Sequence, residues 1–133
     1  MHGLRFNTRL IMSASALLLF IAGLGLTFVP DLILKSLQLG AEKTNQLLIQ
    51  VLGGLYFGFA MLNWMTRNSI IGGIYNRPVA IANFSHFFIA GLALLKGVNG
   101  DGATSMVLWI TTGTYQVFWI LFAILLFSHP LEK

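Results

Sequence analysis

Residues 47–66 read LLIQVLGGLYFGFAMLNWMT, a run without a single Asp, Glu, Lys or Arg. A helix needs about 20 predominantly apolar residues to cross the hydrocarbon core of a bilayer. This run has that length, and polar groups such as Gln50 and Asn63 are too few to make it a water-facing surface. Three further stretches share the character, at 10–29, 79–95 and 103–128. The stretch at 79–95 lies at the short edge of the spanning range and holds Asn83 and His86. It reads as a span whose polar residues face a bundle interior, with a re-entrant segment as the alternative.

Working outward, the links are short, which forces neighbouring helices antiparallel. The expected fold is all-α: a polytopic membrane protein built as an antiparallel four-transmembrane-helix bundle, one transmembrane domain covering residues 1–133. After the first span, Pro30 and Asp31 suit the start of a helix, Asp31 and Lys35 share a face, and Gly40 offers a stop. A short amphipathic helix lying in the interface is expected there. The link over 67–78 carries Gly72 and Gly73, and that over 96–102 reads KGVNGDG, a tight turn. Arg5 and Arg9 ahead of the first apolar run resemble the start of a signal peptide. The run is long for one and no A-x-A cleavage site follows, so it reads as a retained helix.

Composition agrees. The chain is 56% hydrophobic and 9% charged, against about 25% charge in a soluble domain. Folding a chain of this size buries only roughly two-thirds of its surface, too little to hide so much apolar area from water. No cysteine is present, which excludes disulfides, thiol catalysis and thiolate metal sites. The net charge of +4 comes from dispersed residues, which points to lipid headgroups rather than nucleic acid. Arg5, Arg9, Arg67, Arg77 and Lys133 fall on one side and Lys35, Lys43 and Lys96 on the other. By the positive-inside rule both termini are expected in the cytoplasm, in the inner (plasma) membrane of a bacterium.

Helical spacing assigns each span a stripe of polar, small and aromatic residues for the interior. These are Ala16, Phe20, Gly23 and Thr27 in the first, and Gln50, Gly54, Phe57, Met61 and Trp64 in the second. The third offers Asn83, His86 and Ala90, and the fourth Trp109, Thr112, Gln116, Trp119 and Ala123. Packing explains such stripes, since small residues let helices approach and amides bond across interfaces. Gly54 and Gly58 form one small-residue pair of this kind, and Trp64 and Trp109 suit aromatic belts near span ends. A ligand pocket among the helices is the competing explanation. Its candidate binding residues are His86, Asn83, Gln116, Thr112, Trp119 and Gln50. His86 is the one histidine inside a span and is expected about 10 Å deep, as a neutral ring partnered by Asn83 and Gln116. No catalytic residue, metal ligand set or cofactor is assigned, and His2 and His129 are too remote to join His86 on a metal.

Absent residues exclude several activities. No span holds the carboxylate of a proton-coupled exporter, the lysine of a retinal protein or a second buried histidine for a haem. Quinone-coupled disulfide formation needs paired cysteines, and glutathione-activating membrane transferases carry Arg, Asn and Glu motifs where the second span here offers only Asn63.

The order of features nevertheless resembles a known group. Leu26-Thr27-Phe28-Val29 ends the first span at Pro30. The turn Leu34-Lys35-Ser36-Leu37-Gln38-Leu39-Gly40 follows. The second span runs LGGLYFGFAMLNW over 52–64 and closes in Arg67, and the third opens with Arg77 and Asn83. This layout is similar to the DoxX-like group of four-helix membrane proteins over most of the chain. The resemblance implies the four-helix fold. Some members are subunits of quinone-linked oxidoreductases or membrane partners of oxidant-defence enzymes, and others resemble sterol-isomerase-type proteins. The acidic residues of those isomerases are missing from these spans, so no catalytic role carries over. The expected function is a non-enzymatic subunit or scaffold of a membrane complex, in contact with lipid and with a protein partner or further copies of itself. The alternative is a binder of a quinone or other isoprenoid-like lipid within the bundle, linked to redox chemistry.

Overall fold

The computed structural model describes residues 7–69, 76–100, 102 and 104–127. Five helices account for most of them: α1 Thr8–Phe28, α2 Pro30–Ser36, α3 Lys43–Thr66, α4 Arg77–Val98 and α5 Met106–Phe127. Four have 21 to 24 residues, so they measure roughly 32–36 Å at 1.5 Å per residue and match a hydrocarbon core of about 30 Å. The stretch around Asn83 and His86 is a full helix of 22 residues, not a re-entrant segment. Arg5, Lys133, His2, His129, Gly72 and Gly73 lie outside the described residues.

Local sequence sets the helix ends. Asn7 caps α1 by accepting a hydrogen bond from the Leu10 amide at 3.2 Å. Pro30 occupies the first turn of α2, beside Asp31. The α2 helix stops earlier than Gly40: the Leu39 amide bonds to Leu34 O at 2.8 Å and the Gln38 amide to Lys35 O at 3.0 Å. This is a Schellman closure with Gln38 as its left-handed residue, at φ 58°. Leu34 of α2 is fully buried, so this helix packs back onto α1 and α3 while Leu32 stays exposed.

The spans form an antiparallel bundle in two close pairs, α1 with α3 and α4 with α5. The first pair is tight because Gly23 and Gly53 face each other. A Cβ on Gly53 would sit 3.0 Å from both Gly23 O and the Thr27 amide, and one on Gly23 would sit 3.1 Å from Gly53 O. The second pair is an aromatic seam, in which Phe87 stacks on Phe118 and Phe122 at 5.1 and 5.6 Å. Met12, Leu19, Ala60, Ala80, Phe87 and Phe122 form the centre of the core. Outside it, Leu10, Phe28, Met65 and Met106 are 66–77% exposed, and apolar exposure on all sides of a bundle is what lipid, not water, accommodates.

The interior faces of three spans differ from the stripes expected of them: on α1 Ala16 and Gly23 are buried but Phe20 is exposed. On α3 the inward residues are Gly53, Tyr56, Ala60 and Asn63, whereas Gln50, Gly54, Phe57, Met61 and Trp64 are exposed. On α5 Thr112 is buried as expected, but its buried companions are Tyr115, Phe122 and Leu125, and Trp109 is exposed. The α3 helix is turned by one residue, or about 100°, whereas α5 keeps Thr112 inward and shifts its face only in part. A membrane helix is apolar all round, so its polar spacing defines the inward face only loosely.

The α1–α3 crossing gives a test of sign. Gly53→Ala should lower the stability of the detergent-solubilised protein by about 1–3 kcal/mol through overpacking. Gly54→Ala, where nothing lies within 4 Å of the added Cβ, should be neutral or raise stability by up to about 1 kcal/mol through helix propensity. Thermal or denaturant unfolding of both variants reads the difference.

Candidate functional site

The polar interior begins with an amide pair. Asn63 of α3 and Asn83 of α4 are both fully buried. The Asn63 Nδ2 donates to Asn83 Oδ1 at 2.7 Å, and Asn83 Nδ2 donates back to Asn63 Oδ1 at 2.7 Å. The second proton of Asn63 goes to Ser15 Oγ on α1 at 3.0 Å, and that of Asn83 to Val79 O at 3.0 Å. Ser15 Oγ in turn donates to Met12 O at 2.9 Å. Every side-chain proton of the cluster therefore has an acceptor, which makes the buried polar groups affordable to the fold.

One helical turn further along lies a second layer. His86 of α4 is partly buried, sandwiched between the Phe59 ring, stacked at 5.2 Å, and the edge-on rings of Tyr56 and Phe87 at 5.6 and 5.0 Å. Its Nε2 meets the Tyr115 hydroxyl of α5 at 3.3 Å. Tyr115 is hydrogen-bonded in turn to the Tyr56 hydroxyl of α3. A chain of three polar groups thus joins α3, α5 and α4. A third contact lies deeper between α4 and α5, where Gln116 Nε2 donates to Gly91 O at 2.8 Å and Trp119 Nε1 donates to Gln116 Oε1 at 2.7 Å. A Cβ on Gly91 would sit 3.2 Å from that Gln116 nitrogen, so the glycine leaves its carbonyl open to the amide.

The six candidate residues are therefore distributed rather than convergent. Asn83 pairs with Asn63. His86 faces inward as expected, but its hydrogen-bond partner is Tyr115, while Gln116 donates to Gly91 O and accepts from Trp119. Thr112 is buried and returns its hydroxyl to Leu108 O at 2.8 Å. Gln50 is exposed and reaches Thr27 O at 3.3 Å near the far end of α1. Spacing missed Ser15, Tyr56, Asn63 and Tyr115. The signal for three of them was present: Tyr56 and Asn63 stand at heptad spacing, and Tyr115 immediately precedes Gln116.

Two half-open hollows border these layers. One, of about 270 Å³, lies between α1 and α3 and is lined by Ala16, Leu17, Phe20, Ala60, Met61 and Trp64. It is an apolar furrow suited to an acyl chain. The other, of about 190 Å³, lies between α1 and α5 and has both Tyr56 and Tyr115 in its wall. Among the described residues no group of three or more His, Cys, Asp or Glu is placed to hold a metal ion. At the bundle ends the Arg67 guanidinium lies 3.8 Å over the Trp64 ring, and Trp109 Nε1 donates to Thr104 Oγ1 at 2.9 Å. The two tryptophans mark opposite ends, as interfacial belts do.

No family model, curated protein or solved structure matches this chain. It is an integral membrane protein by its four apolar helices, and its site stands on its own geometry.

The amide pair predicts non-additive mutations. Asn63→Leu or Asn83→Leu alone should cost about 1–3 kcal/mol by stranding the opposite amide. The double substitution to leucine should cost less than the sum of the two, since it removes both halves of the pair together. Unfolding midpoints of the three variants in one detergent supply the cycle.

Proposed function

We propose that this chain is a small DoxX-like membrane protein that serves as a non-enzymatic subunit or scaffold, in a bacterial inner membrane with both termini cytoplasmic. The observation that carries this reading is the outer face of α3. Gly54 and Gly58 point outward, where a Cβ added to either would meet nothing within 4 Å, and α3 is the span least covered by the rest of the bundle. Bare backbone of this kind is where a second transmembrane helix approaches closely. The interior supports the same reading. Its amides are saturated by one another, and no spanning helix carries a carboxylate within its apolar stretch.

The orientation is supported by the arginines. The antiparallel order brings Arg9, Arg67 and Arg77 to one end of the bundle, with Lys35, Lys43 and Lys96 at the other. Arg5 and Lys133 add to the arginine side of the sequence count. A second reading, a binder of a quinone or other isoprenoid-like lipid, is favoured by the α1/α5 hollow with two tyrosines in its wall.

Native mass spectrometry of the protein in mild detergent, with lipid extraction in parallel, separates the two. A specific protein partner or a homo-oligomer that dissociates on Gly54→Leu or Gly58→Leu supports the subunit reading. A stoichiometric isoprenoid without any protein partner supports the second. Reporter fusions after Arg67 and after Lys133 should both give cytoplasmic signals, and opposite signals would refute the orientation.

A further inference from the structure

The furrow between α1 and α3 ends at a charged group. Trp64 forms part of its wall, and the Arg67 guanidinium lies 3.8 Å over the same ring. One N–H of Arg67 goes to Trp64 O, at the end of α3 where backbone carbonyls lack helical partners. Ring and carbonyl together hold the guanidinium at the mouth of the furrow. Its other N–H groups have no acceptor among the described residues, and Arg67 is partly exposed. An arginine carries several donors in a planar fork that fits a phosphate.

A second arginine reaches the same place from α1. Arg9, Ala16 and Phe20 share a helical face at spacings of seven and four, and Ala16 and Phe20 line the furrow. On α3, Ala60, Trp64 and Arg67 share a face in the same way, and Arg67 keeps a helical backbone. The register between the two helices is fixed at two points: Gly23 faces Gly53, and Asn63 donates to Ser15. Carried on toward the end of the bundle, that register sets Arg9 within about one turn of the level of Arg67. Two like charges thus stand at one end of one furrow. Among the described residues the carboxylates are Asp31 and Glu42, both at the opposite end of the bundle.

We propose that the α1/α3 furrow is a site for an anionic phospholipid, with an acyl chain against Leu17, Phe20 and Met61 and the headgroup phosphate between Arg67 and Arg9. The inference is independent of both functional readings above. Charge complementarity selects the occupant: an apolar groove that opens onto paired arginines suits a lipid that is apolar along its chain and negative at its head, as basic pockets at helix ends do. Size agrees. At about 270 Å³ the furrow is smaller than the roughly 300–1,000 Å³ of pockets that enclose whole ligands, so it holds part of one chain and leaves the rest in the bilayer. Leu17 is 58% exposed on its flank, which gives lateral entry from lipid.

The test compares dioleoyl phosphatidylglycerol with dioleoyl phosphatidylcholine, which share their chains and differ in head charge. Each is titrated into the purified full chain in mild detergent and followed by native mass spectrometry. A basic residue near an anionic surface is worth up to about fivefold in affinity, and these two are partly solvated. Phosphatidylglycerol should therefore bind one to one and about tenfold more tightly than phosphatidylcholine. Arg67→Gln and Arg9→Gln should each reduce that preference about threefold, and the double variant should abolish it. Lys35→Gln, which removes the same charge at the opposite end, should leave it intact. Leu17→Trp, which fills the furrow from its exposed flank, should remove the one-to-one adduct with both arginines in place. Equal binding of the two lipids to the unmodified chain overturns the proposal whatever the variants do. So does a loss of preference in Lys35→Gln equal to that in the arginine variants, since the charge then acts through the whole molecule. Undiminished phosphatidylglycerol binding in Leu17→Trp, or a protein dimer that excludes the lipid, overturns the furrow as its seat.

Discussion

The reciprocal bond between Asn63 and Asn83 is the constraint on which the rest of the bundle depends. In lipid there is no hydrophobic force to press one helix on another, so packing, small residues and interhelical hydrogen bonds must do it. Backbones of α3 and α4 make few close approaches, and it is the amide pair that fixes their register. Because Ser15 takes the remaining proton of Asn63, the same cluster ties in α1. Three of four spans are thus set at one level by three hydrogen bonds between helices, and two more within α1 and α4 satisfy the remaining protons.

With that level fixed, the second layer follows. One turn along α4 from Asn83 is His86, and two turns back along α3 from Asn63 is Tyr56. The antiparallel directions of the helices bring these two side by side, their rings 5.6 Å apart. Tyr115 completes the layer from α5, the span the amide cluster does not reach. The arrangement also decides where the bundle is open. The glycine contact between Gly23 and Gly53 closes α1 on α3, and the phenylalanine seam closes α4 on α5. Between α1 and α5 neither device is present, and the tyrosine layer is exposed there to a lipid-facing hollow.

These interior groups have a common chemical limit. They are amides, hydroxyls and one imidazole, without a carboxylate, thiol or ammonium among them. Such a set orders helices. Among the described residues the positive charges stand near the ends of the helices, and Arg67 spreads its guanidinium over Trp64 there.

The sequence by itself determined the number of spans, their approximate limits, their antiparallel order and the short helix after Pro30. Those features depend on the length of uncharged apolar runs and on Pro and Gly positions, which are local quantities. It also pointed to the inward placement of Asn83 and His86, since on a span with few polar residues their spacing marks a face. Only the tertiary structure decided the rotation of α3 and the partial shift of the α5 face, and with them the partners. Lipid and protein are equally apolar surroundings for Leu, Ile and Phe, so moving a helix by one residue changes little in composition. Hydrogen bonding breaks that degeneracy. Asn63 must meet Asn83 and Tyr115 must meet His86, and both requirements involve residues far apart in the chain. The candidate set around Gln116 and Trp119 separated for the same reason: each polar side chain is held by its nearest satisfied partner in three dimensions, which spacing along one helix does not reveal.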